Sequence, residues 1–245
     1  NDNNNDAAPV KPINLKSATF TPMAAPGIET PEAMATTTVG SKLSVSWEDG
    51  SKTDYQLAYK EFFKTGNAVS DGKGGSILAG GYFDIHNQPI YDESVAGKKR
   101  QFFSDCPDGT SLLTVAGAKV DGVKGNPVFA VVQFEYTTRD QALQSKYGQL
   151  PSPIAVLTLD QDQISGHLSL VKYHNVDTSK VNGLWITCGA SLSPWGTHLS
   201  SEEYEPDAFD QGVLGQGLSV LKAFSKNLYG NESTANPYNY GHLPE

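Results

Sequence analysis

The stretch "NPVFAVVQFEYTTRD", Asn126–Asp140, is the most apolar in the chain. Its almost unbroken apolar run, Val128 to Phe134, is that of a strand covered on both faces, not one that alternates between core and water. Glu135 stands where the run ends. A strand end is where a scaffold presents a ligand, so Glu135 is a candidate metal ligand; equally, it reads as a strand-end residue emerging into solvent.

Working outward, "SPIAVLTLDQDQISGHLSLVKYHNVD" (Ser152–Asp177) alternates on either side of an Asp/Gln/Gly break, the spacing of a hairpin. "GLWITCGAS" (Gly183–Ser191) adds one more short strand, and "DGTSLLTVAGAKV" (Asp108–Val120) a strand upstream. Further back, "SILAGGYFDIHNQPIYD" (Ser76–Asp92) suggests two strands across an "HNQP" turn. In "SKLSVSWEDG" (Ser41–Gly50), Leu43, Val45 and Trp47 share one face at a period of two. "DYQLAYKEFF" (Asp54–Phe63) is ambiguous between strand and short helix. Only "DAFDQGVLGQGLSVLKAFSKNLYG" (Asp207–Gly230) carries helical spacing, with Leu218, Leu221 and Phe224 in three-residue steps and Gly230 as the stop.

Many short strands at intervals of roughly ten residues point to an all-β, mainly antiparallel fold with a short helix near 215–229. Periodicity does not choose among sandwich, barrel and propeller. With 245 residues, 38% hydrophobic and 10% aromatic, the chain is long enough to bury a real core, and its 24 Gly and 14 Pro fit a turn-rich architecture. The opening "NDNNNDAAPVKP" is too polar to pack, so residues 1–16 read as a disordered tether of the kind left after removal of an export signal, and 17–245 as one β-rich domain.

A formal charge of −9 repels polyanions, and the densest basic run, "GKKRQ" (Gly97–Gln101), is too short to neutralise many phosphates. Nucleic acid is therefore excluded as a partner. A membrane span is excluded as well, because no apolar run approaches the ~18–20 residues that one needs.

The chemistry concentrates in "CGASLSPWGTHLSSEE", Cys188–Glu203. Adjacent carboxylates at Glu202 and Glu203 repel, and a cation relieves that repulsion; on the other reading they are a solvated surface pair. A thiolate at Cys188 adds a soft ligand, and sulfur with oxygen donors in one segment suits a transition metal beside a hard cation. His198 reads as a packed or hydrogen-bonded histidine more readily than as a ligand or general acid. Cys106 and Cys188, an even pair, are disulfide candidates in an exported protein. Their contexts, "SDCPDG" and "ITCGAS", instead suggest turns that face a cleft, and both options stand. No G-x-S-x-G elbow, P-loop, C-x-x-C or complete calcium loop is present.

The register of "CGASLSPWGTHLSSEE" resembles the signature of the PhoX-type alkaline phosphatases, in which a cysteine, a T/S-P-W-G-T core and a double glutamate share this spacing. Weaker echoes are "CPDGTSLL" (Cys106–Leu113), "VVQFEYTT" (Val131–Thr138) and "NPYNYGH" (Asn236–His242). The resemblance spans roughly Asp105 to the C-terminus. It implies an exported, periplasmic or extracellular β-propeller, lipid-tethered at its N-terminus, with iron and calcium in a site that hydrolyses phosphate monoesters. The nucleophile would then be an oxo, hydroxide or water group on the metals.

On that basis Cys188 becomes an iron ligand and Glu203 a metal ligand, with Glu202 beside it. Glu135 matches a family "HEY" glutamate whose histidine is Phe134 here. A metal-bound Cys188 is unavailable for a bond to Cys106. The family's chains are longer, so part of a propeller is expected here, with the C-terminal remainder as a second chain and a small phosphate ester as substrate. The alternatives are a non-catalytic exported propeller that binds, or another metal-dependent hydrolase such as a lactonase.

Overall fold

The computed structural model describes residues 12–35, 38–204, 206, 208, 209 and 218–245. Strand makes up 37% and helix 10%, and every strand pairing is antiparallel. Among the described residues there is no closed sheet and no propeller. The chain divides into two compact units, 1–61 and 62–245. Of the tether expected over 1–16, residues 1–11 lie outside the described residues, and the first strand begins inside the remainder.

The first unit is a three-stranded sheet, β1 (Leu15–Thr21), β2 (Thr38–Trp47) and β3 (Lys52–Ala58), with a one-turn helix α1 (Pro31–Met34). The period-two reading of Leu43, Val45 and Trp47 holds: Val45 is buried within β2, and Trp47 donates its indole N–H to Thr53 Oγ1 at 3.0 Å. The ambiguous "DYQLAYKEFF" is strand over its first half, as part of β3.

The second unit begins with two short strand pairings, β4 (Ala68–Ser70) with β5 (Ser76–Leu78), and β6 (Tyr91–Asp92) with β7 (Arg100–Gln101). The two strands expected across "HNQP" shrink to β5, β6 and a lone Phe83–Pro89 bridge. There Asn87 takes a left-handed φ of 58°, and the Asp84 carboxylate caps the turn by accepting the His86 and Gln88 amides.

A four-stranded meander then carries the main core: β8 (Pro107–Leu113), β9 (Asn126–Phe134), β10 (Ile154–Gln161) and β11 (Leu168–Asn175), in spatial order β11-β10-β9-β8. Val128, Ala130, Val132 and Phe134 of β9 and Ala155, Leu157 and Leu159 of β10 pack with Tyr173 on one face. Each large apolar side chain so buried contributes about 1.5–3 kcal/mol. The expected "SPIAVL…VKYH" hairpin is the β10–β11 pair.

Strand β9 is covered on both faces because its odd positions meet a second hairpin, β12 (Thr187–Leu192) with β13 (His198–Glu202), which packs against β8 and β9. The apolar run is thus explained by two neighbours, a core on one side and a hairpin on the other. The expected helix is α2 (Leu218–Tyr229), ended by Gly230 at a φ of 80°; positions 215–217 lie outside the described residues. Its Leu221, Phe224 and Leu228 bury against Trp185, Ile186 and Tyr240.

Candidate metal centre

Two register shifts decide where the polar side chains go. In the β8–β9 pair, Pro107 faces Phe134 but Thr110 faces Val132, so β8 holds one residue more than its partner over that interval. In the β12–β13 pair, Thr187 faces Glu202 but Ala190 faces Ser200, so β12 likewise carries one extra residue. Such β-bulges interrupt the alternation of side chains and re-aim one of them. The first bulge contains Asp108 and Gly109, the second Cys188 and Gly189. The two contexts that read as turns in the sequence are bulges inside strands.

The bulges face each other at close range. A Cβ on Gly109 would stand 2.6 Å from Ala190 Cβ and 2.6 Å from the Cys188 carbonyl oxygen, so only glycine lets β12 approach β8 this closely. As a result the Cys188 thiol donates to Asp108 Oδ2 across 3.6 Å. Glu135, one step beyond β9, completes the group. Its backbone is pinned from both sides: its N–H donates to the Cys106 carbonyl at 2.9 Å, and its own carbonyl accepts from Ser152 Oγ at 2.7 Å.

One ligand atom from each of Asp108, Glu135 and Cys188 lies within 4.8 Å of the other two. A cation among three atoms so spaced can sit within about 2.8 Å of all of them, and a small inward rotation gives the 2.0–2.6 Å of ordinary metal–oxygen and metal–sulfur bonds. The residues therefore fit a metal ion. Their charges fit one too. Burial, then Asp108, then Glu203 hold the Glu135 carboxyl above its usual range. A hydrogen bond to Glu203, then burial and the surrounding carboxylates push the Cys188 thiol up to about 12. Acids crowded in this way are stabilised by positive charge.

Glu203 stands beside Cys188 and is held there by its own N–H, which donates to the Ile186 carbonyl at 2.8 Å. Ile186 is buried, with a left-handed φ of 39°, and Tyr204 takes a φ of 51°. Left-handed backbone at a β-branched or bulky residue is strained and persists only where the surroundings impose it. Here both residues flank the segment that carries Glu203.

Glu202 is placed elsewhere, and this departs from its reading as a ligand. Its Oε1 accepts the Trp185 amide at 2.7 Å, and its Oε2 accepts the Gly241 and His242 amides at 2.8 and 3.0 Å. It ties the "NPYNYGH" segment to the loop before β12, and like Glu203 it is outside the Asp108–Glu135–Cys188 group. We expect Glu202→Ala to lower stability by about 1–3 kcal/mol, since the buried Trp185 amide loses its partner while the other two can reach water. Metal content should not change; elemental analysis of the folded variant checks this.

Cys106 and Cys188 are both free thiols, so the disulfide reading is not realised. Burial, with Asp105 next, pushes the Cys106 thiol up to about 11. Its thiol donates to Asp105 Oδ1 at 3.3 Å.

His198 is a hydrogen-bonded strut. Gln133 points its amide N–H groups at the Cys188 and Gly189 carbonyls, which leaves its Oε1 to accept from His198 Nε2 at 3.0 Å. His198 Nδ1 then accepts from Ser111 Oγ at 2.7 Å. The ring is neutral in this arrangement and braces β8, β9, β12 and β13 behind the site.

Burial holds His198 below its ordinary pKa. The unfolded chain takes up that proton at about 6.5, so the stability due to the neutral ring is complete above that pH and is lost as the pH falls toward the folded value, by at most about 1.4 kcal/mol per unit. Urea midpoints measured from pH 7.5 to 5.5 should fall, and should fall less steeply in His198→Gln; His174, also held low by burial, contributes slope of the same sign.

Asp108 is the site residue that the sequence reading leaves out. An Asp-Gly pair reads as a turn, and only the pairing register shows it to be a bulge. A cavity of about 330 Å³ between the Phe83–Asn87 turn and Val176–Ser179 is lined by none of the four acidic or thiol groups. No helix is long and apolar enough to cross a membrane among the described residues. No family model, curated protein or solved structure matches the chain.

Proposed function

We propose that this protein is a metal-dependent phosphomonoesterase of the PhoX type, with Cys188, Asp108, Glu135 and Glu203 as the cation-holding residues. The observation that carries the reading is the convergence of Asp108, Glu135 and Cys188 within 4.8 Å at two facing bulges. These side chains come from three separate strands or strand ends. Two of the positions, Cys188 and Glu203, are the ones singled out by the spacing of "CGASLSPWGTHLSSEE".

Donor chemistry supports a mixed centre. A thiolate favours a transition metal, for which iron is the family's choice, and carboxylates accept calcium as well. When bound, such cations stabilise the charge on the phosphoryl oxygens and supply an activated water for attack. The chain's own part is to hold two carboxylates and a thiol in one place and to fix the Glu135 and Glu203 backbones. The meander β8–β11 followed by the hairpin β12–β13 supports part of a β-propeller, since four antiparallel strands in sequence order make one blade. Export to the periplasm or the cell exterior belongs to the same reading.

The test is elemental analysis together with phosphate release from an aryl phosphate by the purified protein. Iron with calcium and released phosphate support the assignment. Metal without phosphate release points to another hydrolase, such as a lactonase. A metal-free protein without activity points to a binding module.

A further inference from the structure

Three tyrosines in a chain of ring contacts adjoin the segments that carry Glu135 and Glu203, and the metal reading uses none of them. Tyr136 follows Glu135 in the chain and Tyr204 follows Glu203, so two of the rings are carried by neighbours of metal-site residues. Tyr147 joins them. Its ring centroid is 4.8 Å from that of Tyr136, edge-on at 68°, and 6.4 Å from that of Tyr204, tilted at 59°. Burial, then Glu135 and, further down, Glu203 hold the Tyr147 hydroxyl above its ordinary value.

The array is braced from behind. Tyr136 packs on the buried cluster of Trp185, Phe224 and Tyr240. Trp185 also donates its indole N–H to the Tyr204 carbonyl at 2.8 Å, which fixes the strained backbone there. Next to Tyr147, Gly148 takes a φ of 69°, and a Cβ at that position would meet Val220 at 3.1 Å and Trp185 at 3.4 Å. The front is open: Tyr204 is 65% exposed and Tyr147 is 37% exposed. Single exposed aromatics are ordinary, but rings in mutual contact, held by a buried tryptophan and bordering a cation site, form a preorganised face.

We propose that Tyr147 and Tyr204 form a stacking face for the leaving group, so that the site takes phosphate monoesters of planar rings in preference to those of small aliphatic alcohols. This rests on the phosphomonoesterase reading, in which the phosphate sits at the cations. A ring joined to the ester oxygen then falls next to the tyrosines, where offset or edge-on contact between rings is favourable. Tyr136, packed on the cluster behind, serves as the support of Tyr147.

The test is titration calorimetry of phenylphosphonate and methylphosphonate, which cannot be hydrolysed, against the metal-loaded protein. Phenylphosphonate should bind about tenfold more tightly. The preference should vanish in Tyr204→Ala and survive in Tyr204→Phe. Equal affinities in the parent protein overturn the proposal, and so does a preference that persists in both Tyr204→Ala and Tyr147→Ala. Phosphate release from phenyl phosphate, followed in parallel, separates the two readings. Ring preference without hydrolysis keeps the stacking face and removes the phosphatase. Hydrolysis without ring preference does the reverse, and failure of both phosphonates to bind removes both.

Discussion

Cys188→Ala is expected to lose its iron on purification and to release no phosphate, with metal affinity down by more than about a hundredfold. Loss of an outer contact to a metal ligand typically costs 10–100-fold, and removal of the ligand itself costs more. The fold should survive, because Cys188 is only half-buried and the hairpin it belongs to is held by the Gln133–His198–Ser111 bridge and by backbone pairing. Iron measured against protein in the purified variant, with a circular dichroism melt as the control for folding, decides the matter. Full iron content in a folded Cys188→Ala protein would take the thiol out of the site.

Gly109→Ala is expected to damage the fold and the site together. A Cβ there has Ala190 Cβ and the Cys188 carbonyl oxygen at 2.6 Å and the Ala190 amide at 2.7 Å, and two of these three are backbone atoms that cannot rotate away. Strand β12 must move off β8. Overpacking of this kind costs about 1–3 kcal/mol, and in a chain of this size each kcal/mol lowers the melting midpoint by roughly 2–4 °C. The same displacement parts the Cys188 thiol from Asp108, so metal should be retained less tightly. Gly189 supplies the control. It belongs to the opposite bulge, and a Cβ on it meets nothing within 4 Å, so Gly189→Ala should melt and bind metal like the parent. A Gly109→Ala protein that matches the parent in both measurements would mean that the close approach of the bulges is not needed.

Strand content was legible in the sequence wherever burial imposed a period. Val45 on β2, the β10–β11 hairpin and Phe224 on α2 all lie where alternation or helical spacing put them. The both-sided cover of β9 was legible too, although its cause, a core on the even face and the β12–β13 hairpin on the odd face, belongs to tertiary packing. Division of the chain at 61/62 was not legible in the sequence, because no linker-like run of Gly, Pro or Ser marks it.

The site was legible only in part, for a physical reason. Cys188, Glu135 and Glu203 carry unusual chemistry at a recognisable spacing; the structure brings Cys188 and Glu135 together with Asp108, and Glu203 stands beside Cys188. Glu202 looks identical to Glu203 in a sequence, yet the one-residue step along β13 hands it to three backbone amides. Asp108 went unseen because "PDG" has the composition of a turn, and a bulge differs from a turn only in what the partner strand does.

Anomalous diffraction at the iron edge, from crystals of the protein as purified, tests the central claim most directly. The account predicts a peak bonded to Cys188 Sγ, with carboxylate oxygens of Asp108 and Glu135 completing that side of the centre. Crystals with no anomalous peak near Cys188, or with the metal bound away from Asp108 and Glu135, would contradict it.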